Sequence, residues 1–253
     1  EPILPGLAQP AQPAPDARAE ADAFLAVNPD VETVDAFILD HNGIARGKRL
    51  PAQGVVKMFE QGLFLPRSVH AVDIWGHDVT SAGLDLQSGD GDGLCMPVPG
   101  TLKRVAWGER PAAQVMLQML GHDGQPFTVE PRAVLRKVLD RLEAMQLTAV
   151  AAVELEFYLV ERDRPDGTPP KPAACRETGR RPRNPSVYSL DELDSFATVF
   201  HDISTAAAAQ GIPTDTLITE HGPAQYEINL WHRPDAVLAA DHAVMFKRAV
   251  KGV

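Results

Sequence analysis

The sequence predicts an α+β protein, because segments with the two-residue alternation of a strand are separated by segments with the spacing of an α-helix. The first strand-like segment runs directly into Asn42-Gly43, a dipeptide that favours a tight β-hairpin turn. Apolar side chains recur at helical spacing after Pro131. The predicted strands are residues 34–40, 44–50, 115–120, 149–160 and 217–230, with further short strands and turns within 68–100.

Proline and glycine mark the helix boundaries. Pro51 opens one predicted helix and Gly62 closes it, and Gly211 with Pro213 closes another. After Pro131 the residues at helical spacing are Leu135, Val138, Leu139, Leu142 and Met145, which predict a helix. The predicted helices are residues 16–27, 51–61, 131–145, 191–210 and the stretch that Pro234 opens, and the proline-rich polar segment 161–188 predicts a long loop.

Composition and charge exclude several classes of protein. The 253 residues carry a net charge of −10, which argues against a nucleic-acid partner, because such proteins need a basic face. No run of 18 apolar residues occurs, so no membrane-spanning segment is predicted. The two cysteines, Cys95 and Cys175, form no disulfide framework or metal-ligand spacing, which favours a reducing compartment and therefore the cytoplasm.

Both ends of the sequence are unusual. Residues 1–15 carry five prolines among alanine, glutamine and glycine, and we expect a leader or linker there. This segment lacks the basic start and apolar centre of a secretory signal. The helical composition that continues to Val253 leads us to expect that the chain is cut short of its natural end.

Residues 150–159 place two carboxylates on one side of a predicted strand. Because side chains alternate along a strand, Glu154 and Glu156 project to the same face, with their backbones roughly 6.7 Å apart. Two like charges on a partly buried face repel each other and lose hydration, so a cation is expected to offset them. The opposite face is apolar throughout, with Ala151, Val153, Leu155, Phe157 and Leu159.

Residues 225–230 repeat this pattern, with Glu227 on the polar face between a glutamine and an asparagine. Glu220 lies just ahead, and Gly222-Pro223 can turn the backbone so that Glu220 and Glu227 face one point. Four carboxylates without a cysteine pair favour a hard cation, Mg²⁺ or Mn²⁺, over zinc. The spacing alone is more typical of a solvated outer strand face than of a metal site, and both interpretations stay open at this point.

The same residues resemble, in order along the chain, the motifs of the glutamine synthetase family. The resemblance covers about residues 31–253. The segments that carry it are residues 40–48, 92–102 with Ala106-Trp107, 123–126, 131–135, 154–157 and 220–227.

The resemblance implies an architecture. A leader and short helix at residues 1–30 precede a β-grasp N-terminal domain at 31–127. Residues 128–253 are then the first part of a catalytic domain with a curved, mainly antiparallel sheet flanked by helices. Family members are homo-oligomeric rings with active sites between neighbouring subunits. The family's later motifs, a histidine ligand, an arginine-rich phosphate cluster and a final glutamate ligand, are absent from this sequence, so we expect the first half of an enzyme.

The resemblance also implies a reaction and its cofactors. Glu156, Glu220 and Glu227 would hold the metal nearer the substrates, and Glu154 would help to hold the metal that bridges the ATP phosphates. The γ-carboxylate of L-glutamate attacks the terminal phosphate of ATP, and an amine then displaces phosphate to leave an amide. Mg²⁺ or Mn²⁺ neutralises the transferring phosphoryl group, with ATP as co-substrate.

One departure from the family pattern concerns the amine. Ammonia-using members place Gly-Ser residues after an aspartate that reaches the neighbouring subunit's amine site, whereas here the nearest match, Asp73, is followed by Ile74-Trp75-Gly76. This difference favours the γ-glutamylpolyamine synthetase branch, which uses a larger amine such as putrescine. Asp73 is the candidate catalytic residue, and a structural role in a turn is an equal alternative. An ammonia-using glutamine synthetase and a non-catalytic homologue that binds an amine or ATP are the competing functions.

Overall fold

The computed structural model describes residues 17–84 and 89–253. The expected Pro/Ala-rich leader lies outside the described residues. Contacts divide the chain into two units, one ending at Met145 and the other spanning Gln146–Val253. In the described part of the chain, no helix is both long and apolar enough to cross a bilayer.

A mixed sheet forms the centre of the first unit. Among the described residues it has six strands, in the order β2-β1-β6-β4-β3 with β5 also paired to β6. β1 and β6 run parallel, and the other pairs are antiparallel. The strands are β1 Thr33–Leu39, β2 Ala45–Pro51, β3 Leu63–Pro66, β4 Asp92–Pro97, β5 Lys103–Val105 and β6 Ala112–Leu120.

The predicted hairpin at Asn42-Gly43 is confirmed, with Leu39 paired to Ala45 at its tip. The buried carboxylate of Asp40 holds the turn, because it accepts hydrogen bonds from the backbone N–H groups of Asn42 and Ile44 and from the Arg46 side chain. Gly43 takes a φ of 67°, a left-handed conformation that favours glycine.

Three helices accompany this sheet: α1 Ala17–Val27, α2 Val55–Gln61 and α3 Pro131–Ala144. The helix predicted at 51–61 is shorter than expected, because Pro51 ends β2 and a 3₁₀ turn at Ala52–Gly54 precedes α2. The helix predicted after Pro131 is confirmed as α3. Of the residues at helical spacing, Leu139 is buried, whereas Val138 is 50% exposed and Met145 lies beyond the helix with 66% exposure.

The second unit contains an antiparallel three-stranded sheet in the order β7-β9-β8. The strands are β7 Glu154–Tyr158, β8 Thr214–Thr219 and β9 Gln225–Leu230, and the helices are α4 Leu190–Ser195, α5 Ala197–Ala209 and α6 Ala236–Gly252. One sheet face is apolar, with Tyr226 fully buried. Its ring contacts Phe157, Phe196 and Phe200 at centroid distances of 6.2, 5.8 and 4.8 Å.

Predicted strand boundaries in the second unit need correction. The strand expected at 149–160 is regular only over β7, because β9 ends at Leu230 and Ala151 meets Arg233 in an isolated bridge instead. The segment 217–230 is a hairpin of β8 and β9, and β8 begins earlier, at Thr214.

The helix expected at 191–210 is divided into α4 and α5. Phe196, with φ −123° and ψ 21°, leaves helical geometry between them, and its buried ring packs against Tyr226. The final helix begins after Pro234, where the Asp235 carboxylate accepts the backbone N–H of Leu238 as an N-cap.

Candidate functional site

The register of β7, β9 and β8 places the four predicted carboxylates on one face of the sheet. Glu156 lies directly opposite Glu227, a position at which Cβ atoms are typically about 5 Å apart. Glu154 lies two residues before Glu156 on the same face, opposite Asn229. The other face of these strands carries the buried aromatic cluster around Tyr226, so the carboxylates cannot turn away from one another through the sheet.

Glu220 joins this face at the end of β8. Ile218 pairs with Glu227, so the residue two positions later projects to the same side, and the Glu220 N–H donates to the Gln225 carbonyl at 2.8 Å. The turn that follows contains Ala224 in a left-handed conformation, with φ 60° and no exposed surface. The chain thus returns to the sheet with Glu227 next to Glu220.

Gly222 leaves room for two side chains at this turn. A Cβ atom at Gly222 would lie 2.5 Å from the Tyr158 hydroxyl oxygen and 2.8 Å from the Gln225 side-chain oxygen. The Gly222 N–H donates to that same Gln225 oxygen at 2.7 Å. The predicted Gly-Pro turn therefore has a steric basis, in which Tyr158 and Gln225 occupy the space that a larger residue would fill.

The four carboxylates differ in solvent exposure, and this difference affects their charge. Glu154 and Glu156 are exposed, Glu220 is half-buried and Glu227 is 8% exposed. Burial raises the pKa of Glu227 above its ordinary value, and the charges of Glu154, Glu220 and Glu156 raise it further. The negative charges of the other three acids therefore all disfavour ionisation of the buried Glu227 carboxylate.

Two amide side chains on the carboxylate face donate hydrogen bonds to neighbouring side chains. The Gln225 Nε2 donates to Glu156 Oε2 at 2.5 Å, which links this carboxylate to the turn at Gly222. The Asn229 Nδ2 donates to Thr216 Oγ1 at 3.0 Å. The sequence indicated the face of Gln225 and Asn229 but missed Thr216. Counting the strand alternation back from Glu220 would have placed Thr216 on the same face.

The hydroxyl group of Thr219 supports the end of β8 next to the site. Its Oγ1 donates to the Ser186 carbonyl at 2.5 Å and accepts the Ser189 N–H at 2.8 Å. Thr219 is buried, so these bonds also satisfy a polar group that water does not reach. The end of the predicted long loop at 161–188 is thereby attached to the strand that leads into Glu220.

Within residues 17–84 and 89–253, no three histidine, cysteine, aspartate or glutamate side chains converge closely enough to surround one metal ion. The carboxylates share a face, but their side chains do not form a ready-made ligand cage. Bringing them around one ion therefore requires rotations of their side chains. The donor set, four carboxylates with amide oxygens beside them, has the chemistry that Mg²⁺ and Mn²⁺ prefer.

Asp73 belongs to the first unit and supports a tight turn. Its Oδ1 accepts the backbone N–H groups of Trp75 and His77, both at 2.9 Å, and its Oδ2 lies 3.4 Å from the Nδ1 of His77. These hydrogen bonds, with the one from His77 first, lower the pKa of Asp73. The structural alternative for Asp73 thus has direct geometric support. The neighbouring Trp75 side chain is 80% exposed.

Most of this chain is similar in sequence to proteins of known function. The sequence model of the family described as "Glutamine synthetase, catalytic domain" matches residues 128–253. The γ-glutamylputrescine synthetase PuuA of Escherichia coli (strain K12) is 40% identical over 232 residues, which are 92% of this chain and 49% of the relative. The glutamate–isopropylamine ligase of Pseudomonas sp is 28% identical over 233 residues, which are 88% of this chain and 48% of the relative.

Solved structures agree on the fold. The crystal structure of a novel glutamine synthase homolog matches with a TM-score of 0.70 at 24% identity, covering 87% of this chain and 48% of that one. Residues 128–253 thus define the class, a glutamine-synthetase-like catalytic fold. The chain belongs to the glutamine synthetase family, as the order of its motifs predicted. It spans about half the length of the curated relatives that it matches.

Proposed function

We propose that the intact protein is an ATP-dependent ligase that joins the γ-carboxylate of L-glutamate to an alkyl amine or polyamine through a γ-glutamyl phosphate. The observation that carries this proposal is the shared face of Glu154, Glu156, Glu220 and Glu227, with Glu227 buried under the charge of the other three. The amine as substrate is supported by the 40% identity to a γ-glutamylputrescine synthetase.

In this proposal the carboxylate face holds Mg²⁺ or Mn²⁺. Glu156, Glu220 and Glu227 would hold the ion nearer the substrates, and Glu154 would help to hold the ion at the ATP phosphates. Such ions would neutralise the negative charge of the transferring phosphoryl group. Burial, and then the repulsion of the other three acids, raises the pKa of Glu227. A divalent cation would relieve that repulsion, because it offsets several carboxylates at once.

The contribution of this chain is to position those acids. The Gln225 amide fixes the orientation of Glu156, and the hydrogen bonds of Thr219 fix the strand that ends at Glu220. The groups that make these hydrogen bonds are backbone groups or neutral side chains, so they position the acids without neutralising their negative charge. Held in place, the acids keep glutamate and ATP in line for attack by the γ-carboxylate.

Asp73 remains our candidate for the amine site. Its Oδ1 is occupied by two backbone donors, whereas its Oδ2 faces only His77 among the contacts described, which leaves one carboxylate oxygen for a cationic amine. The carboxylate stays ionised because its pKa is lowered. In the ring that we propose for the intact protein, this oxygen would serve a neighbouring subunit.

Three further expectations accompany the proposed function. The six-stranded sheet, with parallel β1 and β6 at its centre, supports a β-grasp N-terminal domain at residues 31–127. Residues 128–253 are then the first part of the catalytic domain. The two free cysteines, Cys95 and Cys175, support a reducing location such as the cytoplasm.

The test is phosphate release by the intact protein with ATP, L-glutamate and Mg²⁺. Putrescine, spermidine, ethanolamine and ammonium are supplied separately. We expect an alkyl amine or polyamine to stimulate release, and we expect mass spectrometry to detect the γ-glutamyl amide. Stimulation by ammonium alone would identify an ammonia-using glutamine synthetase and overturn the choice of amine.

Variants separate the ligase from a non-catalytic binding protein. Glu154→Gln keeps the shape of the side chain but removes its charge, so activity should fall by orders of magnitude while the fold is retained. Asp202→Asn on α5 is the control, because Asp202 is exposed on a helix whose Phe200 packs against the apolar face of the sheet. An active Glu154→Gln enzyme would contradict the proposed metal role.

A further inference from the structure

We propose that Asn229 is a fifth member of the cation site, whose side-chain oxygen coordinates the divalent ion or accepts a hydrogen bond from a water molecule bound to that ion. This inference rests on the proposed function, because it assigns a residue to the same metal centre. It starts from the position of Asn229 directly opposite Glu154, on the face that carries the four carboxylates.

The hydrogen bonds of Asn229 determine which way its amide faces. The Asn229 Nδ2 donates to Thr216 Oγ1 at 3.0 Å, so the amide nitrogen faces β8. The amide oxygen therefore lies on the other side of the same planar group. Burial and the charges of the neighbouring acids raise the pKa of Glu227, and the Asn229 side chain acts in the opposite direction.

The remaining atom, Asn229 Oδ1, is buried and has no hydrogen-bond partner. A buried acceptor without a donor costs about 1–3 kcal/mol, so native proteins seldom leave one. The neighbouring side chains on this face, Glu154 and Glu227, are acceptors when ionised and cannot donate to it. A hard cation, or the water bound to it, satisfies this oxygen and the carboxylates together, because amide oxygens are ordinary ligands of such ions.

Asn229 would thus add a ligand to the site without adding charge. Thr216 holds its amide nitrogen, and its oxygen adds a neutral ligand without adding to the repulsion among the four acids. A fifth carboxylate at this position would have increased that repulsion. The inference therefore explains why the strand places an asparagine, rather than another acid, opposite Glu154.

Calorimetric titration of the intact protein with Mn²⁺ tests this inference. We expect Asn229→Ala to weaken Mn²⁺ binding about tenfold, the lower end of what the loss of a supporting ligand contact costs. Asp202→Asn, which removes an exposed charge from α5 on the apolar side of the sheet, should bind as the unchanged protein does. Asn229→Ser, whose side chain is too short to reach the ion, carries the same expectation if the alanine variant does not fold.

Melting temperatures with and without Mn²⁺ distinguish a ligand from a merely structural residue. A ligand role predicts that the rise caused by Mn²⁺ shrinks in the variant. A structural role lowers both melting temperatures equally and leaves that rise unchanged, which would overturn the inference. If the unchanged protein binds no Mn²⁺, the proposed metal centre itself fails. If the protein binds Mn²⁺ equally well with and without the Asn229 side chain, Asn229 is not a ligand. The proposed metal centre of the four carboxylates is then unaffected.

Discussion

The two carboxylate oxygens of Asp73 have different surroundings, and this separates its structural role from its proposed role toward the amine. Asp73→Asn retains Oδ1 for the N–H groups of Trp75 and His77 but removes the charge at Oδ2. We expect an unchanged melting temperature and a raised KM for a cationic amine, measured by phosphate release. Asp73→Ala is the control for the turn and should lower the melting temperature, because it removes the acceptor of both backbone N–H groups. An unchanged KM in the asparagine variant would show that Asp73 supports the turn but does not bind the amine.

His70 is a buried histidine that the sequence did not single out. It is 4% exposed, neither ring nitrogen has a partner, and its ring packs between His41 and Phe127. Burial, with the nearby charge of His41, lowers the pKa of His70 to about 4, against the opposing influence of Asp40. The folded protein therefore holds this ring neutral.

A lowered pKa in the folded state makes stability depend on pH in a definite direction. Above pH 6.5 His70 is neutral in both states and contributes nothing to this dependence. As the pH falls from 6.5 toward 4, the unfolded chain binds a proton first, so the folded state loses up to about 3 kcal/mol.

We expect His70→Leu to lose less stability than the unchanged protein between pH 6.5 and 4, measured by urea unfolding at several pH values. Leucine neither titrates nor leaves ring nitrogens unsatisfied. His201→Gln is the control, because His201 is an exposed histidine on α5. The same loss in the leucine variant as in the unchanged protein would show that His70 is not the group responsible.

At the level of elements, the β8–β9 hairpin is the part of the fold that assembles the carboxylates. Gly222→Ala brings a methyl group against Tyr158 and Gln225. Both contacts are the ends of flexible side chains, so we expect a loss of only about 1 kcal/mol in the free energy of unfolding. Because Gln225 holds Glu156, displacing it should weaken Mn²⁺ binding severalfold, measured by calorimetry.

Gly54→Ala provides the matched control for this substitution. Gly54 has a φ of −82° and nothing within 4 Å of an added Cβ, so alanine should stabilise the protein by about 0.5–1 kcal/mol and leave Mn²⁺ affinity unchanged. Equal Mn²⁺ affinities in the two glycine variants would mean that the packing at Gly222 has no influence on the site.

The limits of pattern-based prediction also lie at the level of elements. The existence and type of β1, β2, α3 and β9 follow from alternation, spacing and turn residues. The ends of β7 and the division of α4 from α5 do not, because a partner strand that stops at Leu230 and a ring that packs on Tyr226 determine them. Local sequence contains neither fact.

For the molecule as a whole, the proposed ring makes activity depend on assembly. Sites between subunits require two copies, so diluting the intact protein until the ring dissociates should reduce ligase activity in parallel with the fraction of rings. Mass photometry and phosphate release at the same concentrations measure the two quantities. Full specific activity in a monomeric population would show that each chain forms its site alone.

Residue order alone was enough to identify the family and the acids, because motif order and strand alternation are local properties of the chain. The remaining features of the site are determined only by the tertiary structure. The pairing of Glu156 with Glu227, the burial of Glu227 and the unsatisfied oxygen of Asn229 depend on the register between strands that lie about 70 residues apart. Register is set by packing and by turns, and a shift of one residue would have turned Glu227 to the opposite side of the sheet.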